Sequence, residues 1–157
     1  VLRDIDIFKR LSHVEVGMTI TSTDDSISRY FEKFAPPASA RLAALQKLHD
    51  EGIETYAFIG PLLPHFVASD EALDTLFSSV HNVGVRKIFV EFLNLSGYIR
   101  NRLKIELKDM DPKIWEEFYG SQKKDYREEL SIKVYALVKK YGFKLRMDKP
   151  LYHKEMH

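Results

Sequence analysis

Thr19 and Thr21 close a β-branched run, and each hydroxyl can both donate and accept a hydrogen bond. Arg41 stands nine positions beyond Glu32, across a Pro-containing turn, and its planar guanidinium suits bidentate pairing with a carboxylate. Gly60 and Pro61 follow an apolar run. Glycine there lets another group approach the backbone closely, and the prolines of Gly60-Pro61-Leu62-Leu63-Pro64 stiffen the segment. Glu91 sits inside an apolar run, so its carboxylate needs a partner, either a ligand or a neighbour such as Lys87 or Arg86, and Asn94 follows it. The six histidines show no metal-binding spacing: His153 and His157 are four apart but have no carboxylate companion. The chain has no cysteine, which excludes disulfides and thiolate metal ligands.

These positions must be held by regular elements, and the hydropathy pattern supplies them. Apolar strand-like runs at residues 14–20, 56–59 and 87–92 each end in a cluster of small polar residues, Gly or Pro. Their nearly continuous apolar character fits strands of a parallel sheet. Between them lie helical patterns. One starts at Thr23-Asp24-Asp25, a second runs through Leu42, Leu45 and Leu48 to Gly52, and a third runs from Ser69-Asp70-Glu71 to Gly84. A further helical stripe, Leu2, Ile5, Phe8 and Leu11, opens the chain.

Beyond the third strand the alternation stops. Asp111-Pro112 begins one helix, and a longer one passes through Tyr126, Leu130 and Val134 to Tyr141 and Gly142. Trp115, Tyr126, Tyr135 and Tyr141 recur at helical intervals and read as packing residues. Residues 143–147 could add a short extended segment, and residues 148–157 read as a loose tail. The expected topology is three parallel strands at about residues 14–21, 53–60 and 86–92, with residues 37–51 and 69–83 as right-handed crossovers.

Composition sets the outer limits. A chain of 157 residues fits one domain. The net charge of +1 gives no broad cationic field for nucleic acid or anionic lipid. No apolar run approaches the roughly 20 residues needed to cross a bilayer, so no membrane partner is expected, and a cytoplasmic location is compatible with the missing cysteines.

Taken in order, Val1-Leu2-Arg3-Asp4, the run Val14-Glu15-Val16-Gly17-Met18-Thr19-Ile20-Thr21, Glu32 and Arg41 around the proline turn, Leu42-Ala43-Ala44-Leu45, Gly52-Ile53, Phe58-Ile59-Gly60-Pro61 and Glu91-Phe92-Leu93-Asn94 resemble one family. That family is the radical S-adenosylmethionine (SAM) enzymes, in particular proteins similar to spore photoproduct lyase. The resemblance covers about residues 1–100. It implies an α/β fold: the second half of a parallel-stranded partial (βα) barrel, with residues 101–157 as a helical C-terminal extension. In that family three cysteines spaced CxxxCxxC bind a 4Fe–4S cluster, which chelates SAM and cleaves it reductively to a 5′-deoxyadenosyl radical.

Aligned this way, the cluster loop and the first three strands would lie upstream, and the upstream half of the barrel becomes the expected partner. The cofactors SAM and 4Fe–4S belong to the complete enzyme, with none bound tightly by this chain alone and no metal ligand among its residues. The resemblance assigns Thr19, Thr21, Arg41, Gly60 and Pro61 to SAM, with Arg41 on the methionyl carboxylate if not on Glu32. It assigns Glu91 and Asn94 to the catalytic, substrate-facing side. The family often keeps Glu-Pro-Gly-Ala-Pro where this chain has Glu32-Lys33-Phe34-Ala35-Pro36. Without its neighbour the first strand leaves an apolar edge that invites self-association. The competing reading is a non-catalytic α/β binding or interaction domain that uses the same strand-end face. A phosphosugar-binding barrel piece is disfavoured by the absence of a glycine-rich phosphate loop.

Overall fold

The structure is a computed structural model, and residues 1–152 of it are described. After a 3-10 turn at Leu2–Asp4 come α1 (Ile5–Phe8), β1 (Glu15–Ile20), α2 (Asp25–Phe31), α3 (Ala38–Asp50), β2 (Glu54–Leu62), α4 (Asp70–Asn82) and β3 (Lys87–Phe92). Three more helices follow, α5 (Gly97–Glu106), α6 (Pro112–Gly120) and α7 (Lys124–Tyr141), and then β4 (Lys144–Leu145). The sheet order is β1-β2-β3-β4, and every pairing is parallel. The expected strands and both expected crossover helices are therefore present.

Local chemistry explains the boundaries. Asp24 caps α2 by accepting from the backbone N–H groups of Ser26 and Ile27, Ser69 caps α4 through Ala72, and Asp111 caps α6 with Pro112 in its first turn. Gly142 ends α7 in the left-handed region at φ 66°. The opening stripe makes less helix than expected. Neither the 3-10 turn nor α1 has a side-chain cap, and Leu2, Ile7 and Leu11 remain exposed, so little burial supports more turns. By contrast, α5 is an addition to the expected set. It buries only Leu103, which leaves its periodicity weak in the sequence.

Two further expectations are corrected. β2 does not stop at Gly60-Pro61 but continues to Leu62. Its register with β3 breaks between Ile59 and Leu62, so Pro61 sits in an irregularity where the ladder does not need its missing N–H. The C-terminal segment is not loose throughout. Leu151 N–H donates to Val90 O at 2.7 Å, and Phe92 N–H donates to Leu151 O at 2.9 Å, which extends the outer edge beyond β4.

One face of the sheet builds the core. Ile20 of β1, Ala57 and Ile59 of β2, and Ile88, Val90 and Phe92 of β3 are buried with Leu45 of α3, Leu73, Leu76, Phe77 and Val80 of α4, and Leu130 and Val134 of α7. The opposite face is only half covered. Tyr56, Phe58 and Phe89 are half-buried there, and Thr19 is exposed. Parallel sheets ordinarily have both faces covered. A strand order that advances in one direction, joined by same-handed crossovers, lays its helices on one side and leaves the other side bare.

Candidate functional site at the strand ends

Arg41 lies in the first turns of α3, and only 8% of it is exposed. Its Nη1 donates to Glu32 Oε1 at 3.0 Å and to Thr19 O at 2.8 Å. Its Nη2 donates to Glu32 Oε2 at 2.6 Å and to Ser28 Oγ at 2.8 Å. Of the two partners open to it from the sequence, Glu32 is the one observed, through a two-toothed fork. The pair is not an exposed surface bridge, since the Arg41 side chain is 9% and the Glu32 side chain 24% accessible. A second carboxylate could reach these Nη atoms only by displacing Glu32. The guanidinium instead ties the C-terminal end of β1 to the turn between α2 and α3. Among the described residues its buried Nε has no hydrogen-bond partner.

At the next strand ends, the buried Thr21 donates from Oγ1 to Gly60 O at 3.3 Å. Gly60 has φ +146°, and a Cβ there would stand 2.7 Å from Glu91 O and 2.9 Å from Glu91 Cβ. Thr21, Gly60 and Glu91 thus form a contiguous seam across β1, β2 and β3, with Pro61 half-buried beside it. Asn94 is half-buried in the loop after β3. Thr19 stands apart from the seam: its carbonyl is held by Arg41, and the residue is exposed on the open face.

Sequence reasoning missed Gln122, which organises that loop. Its Oε1 accepts from Leu95 N at 3.1 Å and from Tyr152 Oη at 3.3 Å, and its Nε2 donates to Leu93 O at 3.0 Å and Ser121 Oγ at 2.8 Å. The one signal was a polar pair, Ser121-Gln122, immediately after the Gly that ends α6.

A second missed feature lies on the open face toward the N-terminal ends of the strands. Lys87 Nζ donates to Glu54 at 2.7 Å and to Glu15 at 3.0 Å, and Glu15 also accepts from Arg146, which follows β4. Burial alone would raise the Glu15 carboxyl, but hydrogen bonds from Lys87 and Arg146 outweigh it and hold the group below its ordinary value. Lys87 is raised by its bonds to Glu54 and Glu15. The Arg146 guanidinium lies 5.0 Å over the Tyr56 ring and 5.4 Å over Phe89, and Phe89 in turn stacks on Phe58. Gly17 makes room for this layer, since a Cβ there would fall 2.1 Å from the Tyr56 ring. The lower part of the open face is therefore closed by its own side chains, and the upper part, at the exposed Thr19, is not.

A cavity of about 500 Å³ lies at the other end of the sheet, lined by His13, Glu15, Glu54 and Lys87 where the strands begin. A smaller one of about 280 Å³ lies beside the strand ends, between Ser22-Thr23-Asp24 and the start of α4. Size alone would favour the first. The strand-end side is the candidate nonetheless, because loops vary there without breaking the sheet. Among the described residues no cluster of His, Asp and Glu could hold a metal ion, and no helix is long and apolar enough to cross a membrane. His153 and His157 lie outside the described residues.

No protein-family model and no solved structure matches the chain. An uncharacterized protein of Methanocaldococcus jannaschii is 42% identical over 67 residues, 43% of this chain and 26% of that protein. An uncharacterized protein of Mycobacterium tuberculosis is 26% identical over 134 residues, 82% of this chain and 39% of its own length. One of Acidianus two-tailed virus is 26% identical over 129 residues, covering 75% and 43% respectively. The chain spans less than half the length of each of these curated relatives.

Proposed function

We propose that this chain forms the SAM-side half of a radical SAM (βα) barrel whose cluster-binding half is supplied by an upstream segment. The observation that carries the reading is the one-directional order β1-β2-β3-β4 with core and helices on one face and a half-open second face. A closed barrel places helices outside and strand faces inside, with the reacting groups at the C-terminal strand ends. The order of the motifs from Val14 to Asn94 supports the same reading. So does the greater length of the relatives, each of which leaves room for the missing strands.

The residues here do not fit the cluster, because the chain has no thiolate to hold iron. When bound by an upstream loop, the cluster would supply reductive cleavage of SAM. For SAM itself the fit is partial. The exposed Thr19 hydroxyl is available, whereas the buried Gly60 already accepts from Thr21 and Arg41 serves by fixing the Thr19 carbonyl and the Glu32 turn. Thr21 holds Gly60 in register. Glu91 and Asn94 remain the substrate-facing candidates, and the location is cytoplasmic in this reading.

The engagement of every Arg41 Nη donor within the chain also favours the second reading, a non-catalytic α/β binding domain, because it removes the most obvious cofactor-binding cation. One experiment separates the two. The complete open reading frame is expressed, reconstituted anaerobically with iron and sulfide, and assayed spectroscopically and for 5′-deoxyadenosine release from SAM. A 4Fe–4S spectrum with SAM cleavage, reduced by Thr19→Val, is the expected result. A complete reading frame without an upstream CxxxCxxC loop, or one that reconstitutes no cluster, overturns the proposal in favour of the binding domain.

A further inference from the structure

A third cavity, of about 260 Å³, opens between the first turns of α7 and the segment that follows β4. Three cations line it, Lys124, Arg127 and Lys149, against one carboxylate, Glu128. This local excess stands out in a chain whose net charge is only +1. Glu128 is already engaged by Lys124 at 3.3 Å. Among the described residues, neither Arg127 nor Lys149 has a carboxylate partner.

Arg127 is nevertheless held in place. Its Nη1 donates to Gln122 O, its own carbonyl accepts from Ser131 Oγ at 2.6 Å, and its guanidinium lies 4.2 Å over the Tyr152 ring. A fixed, half-buried guanidinium with no counter-charge among the described residues is preorganised for an oxyanion, because little side-chain freedom is left to lose on binding. Phe92 and Pro150 give the cavity apolar walls, and Ser131 and Tyr135 complete its lining.

We infer that this cavity binds a phosphate group, either as free phosphate or as the phosphoryl end of a small organic monoester. Its volume falls below the roughly 300–1,000 Å³ of pockets that enclose whole drug-sized ligands, which suits a single tetrahedral anion with the remainder of the ligand outside. Arg127 supplies a forked donor pair, while Lys149 and Lys124 act as point charges. The inference does not depend on the radical SAM reading. It would hold equally for a binding domain.

The test is calorimetric titration of the purified chain with inorganic phosphate and, separately, with adenosine 5′-monophosphate, at constant ionic strength set with chloride. Saturable binding is expected with both. Arg127→Gln should weaken it about tenfold to a hundredfold, as loss of a charge-assisted bond does. Lys149→Gln, an exposed position where misfolding is not a concern, should weaken it severalfold. Lys139→Gln, elsewhere on α7, should leave it unchanged. Tighter binding of the nucleotide assigns the site to an organic monoester, and equal binding assigns it to free phosphate. Heat signals that follow ionic strength alone, or binding that survives both Arg127→Gln and Lys149→Gln, overturn the inference. So does tight binding of a single-stranded oligonucleotide that Arg127→Gln leaves intact.

Discussion

Arg41→Met removes the guanidinium but keeps most of the aliphatic stem, so it isolates the polar network from packing. The wild-type side chain makes two bonds to Glu32, one to Thr19 O and one to Ser28 Oγ, with 8% of the residue exposed. Removing one partner of a fully buried ion pair typically costs about 3–5 kcal/mol, because the other charge is left uncompensated. The Glu32 side chain retains 24% accessibility, so water can reach its carboxylate and soften that penalty. The expected loss is therefore about 2–4 kcal/mol. Arg41→Lys keeps the charge but loses the fork, and should fall between wild type and Arg41→Met.

Urea unfolding followed by circular dichroism measures this directly, provided the m-value is unchanged so that the shift in midpoint reports stability. In a double-mutant cycle, Glu32→Gln should cost much less in the Arg41→Met background than in wild type, with a coupling of about 1–3 kcal/mol. A loss below about 1 kcal/mol for Arg41→Met would put the pair in the range of exposed surface bridges and refute the view that it anchors the end of β1.

Gly60→Ala should destabilise by about 2–4 kcal/mol, because φ +146° is strained for any side chain and the new Cβ would press on Glu91 O at 2.7 Å. A thermal melt within a degree or two of wild type would mean that the seam is looser than described. The Glu51 carboxyl is held at about 2 by hydrogen bonds from Lys47 and Lys9, against an ordinary value of 4.5. Its folded value is the lower one, so its contribution to stability is complete above about pH 4.5 and is lost as pH falls toward 2. Side-chain carboxyl NMR should place that midpoint well below 4.5, and Lys47→Met should move it back toward the ordinary value.

What was legible in the sequence follows from how local each cause is. β1, β2 and β3 could be read because their apolar, β-branched runs end at small polar residues, Gly or Pro, although only one face of each is fully buried, and α3 and α4 because buried stripes and, in α4, a capping serine lie within a few positions of one another. Gly60 stood out because glycine before proline is a local oddity, although its purpose, the close approach of Glu91 across the β2–β3 pairing, depends on a residue 31 positions away. The features that escaped are all of that non-local kind. Arg146 meets Glu15, Tyr56 and Phe89 only because β4 lies beside β3. Gln122 matters only because α6 and α7 bring their connecting turn under the loop after β3. Arg41 lies between the two groups. Its type and its spacing from Glu32 announced a pair, but whether that pair is a surface bridge, a ligand clamp or an internal anchor depends on burial, which no spacing encodes. Residues placed at a candidate site by chemistry alone therefore divide once neighbours are known, with Arg41 and Thr21 holding the strand ends and Thr19 left on the open face.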